Sequence, residues 1–313
     1  MKDKHIGFLA MVIASLGLAV AVMLMKVIPQ VTQMPPQHVA IWRFALAAPP
    51  LWAYLSLQRH SWQGAFLQPW RFLGLGLIYS IASFSAIFAL QHLSSSIYVI
   101  LLYFYPSLVV LYALLNGRSI PRLFWLGLPL TLIGLFLTTF EFGASLTIDP
   151  IGMVITMINA LALAAYMLWS EKVFKALDEP IFGTMAVLSG AMLVGLSLIP
   201  FLRISTPNTF EGWALLVSFG IFGTLVPIVA MNISLKKLGA ARGSLIITLQ
   251  PVLTVLLAMV FLNESLTLQQ WLGGGLVILA IILLQTSPDR VGKPANQGVE
   301  ITCVKKPFRE HIN

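Results

Sequence analysis

The chain has 313 residues, of which 58% are hydrophobic and only 10% charged, with a mean hydropathy of +0.90. A soluble domain carries about 25% charged residues, so this composition excludes an ordinary water-soluble fold. The net charge of +8 does not mark a nucleic-acid binder, because the basic residues sit in short breaks between apolar runs, where a membrane protein's inner loops carry them.

A bilayer core needs about 20 apolar residues per helix. Ten runs approach that length: 6–28, 37–57, 70–90, 95–115, 123–140, 150–170, 181–202, 212–233, 243–262 and 268–285. Only helices and closed barrels satisfy their own backbone in lipid, and these runs are too long and too little alternated for barrel strands. The expected fold is an all-α membrane protein with ten transmembrane helices. The first run follows Lys2 and Lys4, is longer than a signal-peptide core and shows no cleavage site, so it reads as a retained span. Prolines 29, 35, 36, 121 and 180 punctuate the linkers. Residues 287–313 turn polar and basic and read as a disordered cytoplasmic tail. The single cysteine, Cys303, lies in that tail, so disulfides take no structural part.

The chain is written twice. Leu93 to Leu137 runs through Pro106, Asn116 and Trp125-Leu126-Gly127; Leu238 to Gln285 runs through Pro251, Asn263 and Trp271-Leu272-Gly273. The offset is 145 at the prolines, 147 at the asparagines and 146 at the tryptophans. Such near-constancy across two helices is an internal repeat. Earlier, Gly7 to Lys26 corresponds to Gly152 to Lys172, which gives two five-helix repeats, 1–141 and 142–286. Five is odd, so the second copy enters the bilayer from the opposite side. Two inverted halves with a midplane site are a common plan of secondary transporters. With the amino terminus inside, sixteen of the nineteen basic residues fall on the inner side and Arg203 alone falls on the outer. That places both termini in the cytoplasm.

These residues resemble the drug/metabolite transporter superfamily, in its EamA-type branch. The resemblance is carried by Lys237-Leu238-Gly239-Ala240-Ala241-Arg242, Pro251, Asn263-Glu264-Ser265-Leu266-Thr267 and Trp271-Leu272-Gly273. In the first half Lys26, Arg43-Phe44, Pro106 and Trp125-Leu126-Gly127 match similarly. It implies a bacterial inner-membrane carrier of small metabolites, often an exporter of amino acids or related compounds. The chain departs from the family pattern at Leu18-Ala19-Val20-Ala21, where small polar residues are usual. It departs again at Gln250, where a glutamate often stands as a proton carrier, and at Asn116-Gly117-Arg118, in place of Gly-Glu-Arg.

Pro106 and Pro251 each remove a backbone donor, leaving the carbonyls of Leu102 and Ile247 without their usual partner; each is either a hinge or a tolerated kink. Tyr98, Tyr105 and Tyr112 recur every seven residues and are expected on one helix face, as cavity wall or packing, with Tyr112 also placed to anchor at the interface. Thr156, Asn159, Tyr166 and Ser170 form a polar stripe that faces the bundle, where Asn159 and Tyr166 either line a cavity or bond another helix. Ser244, Thr248 and Gln250, with Thr224 and Asn232, add polar groups, and the Gln250 amide suits a substrate amide or carboxylate. Arg43 and Lys26 lie within spans. Lys26 is expected to snorkel, while Arg43 sits deeper and meets an anionic substrate or a helix-terminal carbonyl. Glu171 beside Lys172 reads as an interfacial pair. The five histidines fall in or beside loops, where solvated side chains are ordinary.

The chain has no HExxH, GxSxG, Walker loop or Cys/His cluster, so neither enzyme activity, metal nor cofactor is expected. The expected partners are a small-molecule substrate and the lipid bilayer, with homodimer formation left open. Uptake of the same solutes, flipping of a lipid-linked headgroup, and a non-transporting scaffold stand as alternatives to export.

Overall fold

The computed structural model describes residues 2–57, 69–93, 95–118, 122–140, 149–177, 179–200, 204–262 and 267–285. Among these, regular structure is entirely helical: α1 (Lys2–Thr32), α2 (Pro36–Leu57), α3 (Pro69–His92), α4 (Ser95–Leu102), α5 (Tyr105–Leu115), α6 (Arg122–Thr139), α7 (Pro150–Lys175), α8 (Pro180–Ser197), α9 (Phe210–Gly220), a π-helical turn (Ile221–Leu225), α10 (Val226–Leu238), α11 (Ala240–Ile246), α12 (Leu249–Leu262) and α13 (Leu268–Gln285). The polar tail expected at 287–313 lies outside the described residues.

Seven described segments are long and apolar enough to cross a bilayer, and Leu123–Thr139 and Leu268–Leu283 are shorter apolar helices. The remaining expected run is helix α2, 22 residues with Arg43, Pro49 and Pro50 inside it. Helices outrun the apolar stretches that announced them. α1 continues to Thr32, so Lys26 lies well within it; α7 reaches Lys175, and α10 reaches Leu238 with Lys236 and Lys237 in its last turn. The lysines in the last turns of α7 and α10 are favourable there because the terminal carbonyls present partial negative charge.

Two apolar runs are broken, and each break precedes a proline. The first lies at Tyr103–Phe104 ahead of Pro106, the second at Ile247–Thr248 ahead of Pro251. The proline ring collides with the carbonyl four residues back and offers no N–H, which favours a restart at these two places, whereas Pro29, Pro49, Pro50 and Pro129 are accommodated inside unbroken helices. The Ile247 carbonyl is nonetheless satisfied, since it accepts from Gln250 N at 2.9 Å. The break also corrects the tyrosine stripe: Tyr98 and Tyr105 are buried on either side of it, while Tyr112 is 48% exposed.

The π-helical turn has a sequence cause. Gly76 and Gly220 stand 144 residues apart, whereas Leu93 and Leu238 stand 145 apart, so the second copy gains one residue between them. A helix absorbs one extra residue as a π-bulge, here with Thr224 Oγ1 donating to the Phe219 carbonyl at 3.1 Å.

Packing between the halves is reciprocal. α3 lies along α7 and α8, while α1 lies along α10 and α2 packs on α9; α6 runs against α13. At one end a Cβ on Gly7 would stand 2.7 Å from Leu238 Cγ, and at the other a Cβ on Gly152 would stand 2.6 Å from Leu93 Cγ. Both partners are related by the same offset of 145. In the middle, Gly76 abuts Gly190 and Ala191, and Gly220 abuts Leu46 and Ala47, again position for position at an offset of 144. Small residues are what let apolar helices approach closely where lipid supplies no hydrophobic drive.

Candidate functional site

The polar groups in the bundle interior form one continuous line. Arg43 projects from α2 and is only 6% exposed. Its Nε donates to Thr224 Oγ1 at 3.1 Å and its Nη2 to Tyr79 Oη at 3.2 Å, while the Phe44 and Phe219 rings hold the guanidinium at 4.9 and 5.1 Å. The Tyr79 ring lies 5.1 Å from that of Tyr166 on α7. Tyr166 Oη donates to Asn232 Oδ1 at 3.1 Å, and Asn232 Nδ2 donates to Thr184 Oγ1 at 3.1 Å. Both halves contribute to this line: α2 and α3 from the first, and α7, α8, the π-helical turn and α10 from the second.

Its depth follows from chain position. Thr224 is the middle residue of the 210–238 segment, and Tyr79 is near the middle of α3. Arg43 itself starts seven residues into α2, roughly 10 Å along at 1.5 Å per residue, and its long side chain reaches the centre. A cation held by hydroxyls and aromatic faces at mid-depth is expensive to bury, and such residues mark substrate or ion paths.

Two satellite contacts flank the line. Asn159 on α7 meets the Tyr98 hydroxyl at 2.8 Å; with its amide oriented to satisfy both ends, it accepts from Tyr98 and donates to the Ala82 carbonyl at 3.2 Å. Asn159 and Tyr166 are seven residues apart, so this contact lies about 10 Å along α7 from the first. At the α4–α5 break, Tyr103 Oη donates to Gln250 Oε1 at 3.4 Å, and its ring tilts against that of Tyr105 at 5.8 Å. The two proline breaks therefore face each other through a polar contact.

The structure thus brings Arg43, Tyr166, Asn232 and Thr224 together and sets beside them Tyr98–Asn159 and Tyr103–Gln250, with Tyr105 against the Tyr103 ring. Thr248 stands apart: from the break between α11 and α12 its hydroxyl donates back to the Leu245 carbonyl. Ser80 and Thr156 donate within their own helices, onto the Gly76 and Gly152 carbonyls. Short hydroxyl side chains bond nearby backbone carbonyls readily, which explains all three. Tyr79, Tyr103 and Thr184 join the site without having been singled out from the sequence. Tyr79 had a signal, because it stands 145 residues before Thr224, the offset of the repeat.

Three expectations at the bundle ends are corrected. Glu171 is buried and pairs with Arg118 Nη1 at 2.8 and 3.1 Å and with Lys175 Nζ at 2.6 Å, rather than with Lys172. It also accepts from Ala240 N at 2.9 Å, tying α7 to the start of α11. Lys172 is the sequence neighbour and leaves the helix in another direction, whereas Lys175 lies one turn on. His38 is buried, not solvated: Ser205 N donates to its Nδ1 at 3.2 Å and Ser205 Oγ lies 2.9 Å away, while Trp42 Nε1 donates to the Ser205 carbonyl. His92 pairs with Asp149 at 2.7 Å. The Asp149 carboxylate caps α7 through Ile151 N, and that hydrogen bond, followed by the one from His92, holds its pKa below the ordinary aspartate value.

Residues 5–140 and 150–286 each match the model of the EamA-like transporter family. The chain is 25% identical over 270 residues to the uncharacterized transporter YcbK of Bacillus subtilis, covering 82% of this chain and 86% of that one. It is 22% identical over 256 residues to the uncharacterized inner membrane transporter YedA of Escherichia coli, covering 80% and 81%. A relative from Archaeoglobus fulgidus, also an uncharacterized transporter, is 26% identical over 214 residues, 67% of this chain and 74% of its own. One solved crystal structure superposes with a TM-score of 0.70 over 90% of this chain and 96% of its own, at 18% identity, a likeness of fold.

Proposed function

The chain belongs to the EamA-like transporter family, a family of transporters and not of enzymes, and from that premise we propose that it is a secondary carrier of small metabolites working by alternating access. The observation that carries this reading is the reciprocal packing. Gly7 on Leu238 and Gly152 on Leu93 are one contact written at two ends of the bundle, as are Gly76 on Gly190 and Gly220 on Leu46. Two five-helix halves, 1–141 and 142–286, related by a twofold axis in the membrane plane would make such pairs. Exchanging the conformations of two such halves turns a pathway open to one side into one open to the other. The polar line from Thr224 through Arg43 and Tyr79 to Asn232 lies between the halves, where a bound solute would stay while they rock.

On this reading all ten helical runs span the bilayer, both termini face the cytoplasm, and amino acids or related compounds are moved outward. Pro106 and Pro251 serve as paired hinges, because each lies just after a helix break at the matching place in its repeat. Tyr98, Tyr105, Asn159 and Gln250 line the path beside the central residues. The test is counterflow: purified protein in liposomes loaded with one unlabelled metabolite at a time should accumulate the labelled form of its own cargo. Failure to move any amino acid or organic acid in either direction would sink the carrier reading. Single-cysteine labelling on a Cys303→Ser background tests the topology. Reagent reaching the 116–118 turn and the 141–149 linker from the same side would end the inverted arrangement.

A further inference from the structure

We infer that Arg43 is the anion-binding residue of the central site, and that the solute it selects carries a carboxylate with no neighbouring ammonium; this rests on the carrier reading above. A guanidinium stays charged at any physiological pH. Arg43 is nine-tenths buried, yet no carboxylate among the described residues forms an ion pair with it; its protein partners are two hydroxyls and two aromatic faces. None of the chain's eleven acidic residues falls within any of the ten apolar runs. Among the described residues, the Arg43 charge at the centre of the bundle therefore has no negative charge to match. A buried charge in that position wants a partner of opposite sign, and the solute is what can supply it.

The donor geometry narrows the partner. Of five N–H bonds, one on Nε and one on Nη2 are used, which leaves both on Nη1 and one on Nη2. Phe44 and Phe219 pin the guanidinium by cation–π contact, so the remaining donors are held for an incoming planar fork. A carboxylate accepts such a fork bidentately. A phosphate, with up to two negative charges, would outweigh the single cation. An amino acid brings its own ammonium, for which the ten apolar runs offer no acid, so among the amino acids and related compounds proposed above it is the deaminated acids that fit. The charge is also unique to one half: position 187, which corresponds to 43 at the offset of 144, is valine. Arg43 instead bridges Tyr79 and Thr224, themselves 145 residues apart, so it stands where the two halves meet and where one anion can face either side. Beyond it, the Tyr79 and Tyr166 rings supply an aromatic wall for the rest of the solute.

The experiment measures the apparent melting temperature of the purified full chain in detergent with matched ligands: hexanoate and 3-phenylpropanoate, their amides, norleucine and phenylalanine, and phenyl phosphate. A ligand bound to the folded form raises that temperature by an amount that grows with the logarithm of its concentration over its Kd. At least one carboxylate should reach a given shift at a concentration tenfold or more below that needed by its amide, its amino acid or the phosphate. Arg43→Gln should abolish the carboxylate shift. Thr224→Val, which keeps the charge and removes one of its holders, should weaken the shift several-fold, and this variant with the wild-type ranking decides the matter where Arg43→Gln does not fold. The inference is overturned by any of three results: no acid shifts the melting temperature, an amide, amino acid or phenyl phosphate matches the acids, or the carboxylate shift survives Arg43→Gln. If carboxylates bind in this order but liposomes move nothing, the carrier reading fails and the anion site stands. If neutral or zwitterionic solutes are carried without regard to Arg43, the carrier stands and the anion site fails.

Discussion

Gly76→Ala puts the packing between the halves to a quantitative test. A Cβ at Gly76 would stand 2.5 Å from the Val187 carbonyl oxygen and 2.8 Å from both Ala191 N and Gly190 Cα. Ordinary contact begins at 3.4 Å, so α3 and α8 must part by about 0.9 Å (3.4 − 2.5). Every obstacle is backbone, which no rotamer change relieves. Overpacking costs ~1–3 kcal/mol, and rigid neighbours put this site at the upper end. Helix propensity returns ~1 kcal/mol on replacing glycine by alanine, leaving a net loss of ~1–2 kcal/mol. Gly275→Ala is the control, because a Cβ there meets nothing within 4 Å and collects the propensity gain alone. The two variants should therefore shift the apparent melting temperature in detergent in opposite directions. Tyr79 lies one turn beyond Gly76, and a 0.9 Å displacement of α3 would stretch its 3.2 Å bond to Arg43 past hydrogen-bonding range. Gly76→Ala should accordingly lose ligand-induced stabilisation as well. A Gly76→Ala protein that melts at or above the Gly275→Ala protein would refute the reasoning.

Glu171→Gln should destabilise by ~1–3 kcal/mol, because the buried carboxylate gathers Arg118, Lys175 and Ala240 N while the amide turns an NH₂ toward cations. Lys175→Ala should cost at most ~0.5 kcal/mol, since that side chain is half exposed; equal melting curves for the two variants would be the contrary result. The Asp149 carboxyl is held below its ordinary pKa, so its contribution to stability is complete above pH ~4 and fades as pH falls through the lower native value. Melting of Asp149→Asn against the parent across pH 2–7 should show the gap closing in acid and not in the neutral range. Tyr166→Phe should cost ~1 kcal/mol through the lost bond to Asn232, whereas Thr248→Val should fall within ~0.5 kcal/mol, its hydroxyl serving only the Leu245 carbonyl three residues back. Chemical-denaturant or thermal curves measured side by side would reverse this ranking if Thr248 were part of the site.

Local chemistry made much of the molecule legible from the chain alone. Helices at the apolar runs and the second writing of the first half follow from the composition of consecutive residues and their spacing, while Pro106 and Pro251 were legible only as hinge or kink and the structure makes each a break. Even the π-helical turn is legible in retrospect, as the single residue by which the Gly76–Gly220 offset falls short of the Leu93–Leu238 offset. The identity of each side chain's partner was not legible. Glu171 sits beside Lys172 in the chain, yet its charge is met by Arg118, a full helix away, and by Lys175. His38 lies near a helix end and looks solvated until Ser205 covers it. Tyr103 and Thr184 give no local sign of their roles, whereas Arg43 does, as a charge inside an apolar run. What the sequence by itself determined is where helices begin and repeat, because those choices are settled within a few residues along one strand of chain. Only the tertiary structure decided that Arg43 meets Tyr79 and Thr224, and no acid among the described residues, because that depends on how separate helices are turned and slid against one another.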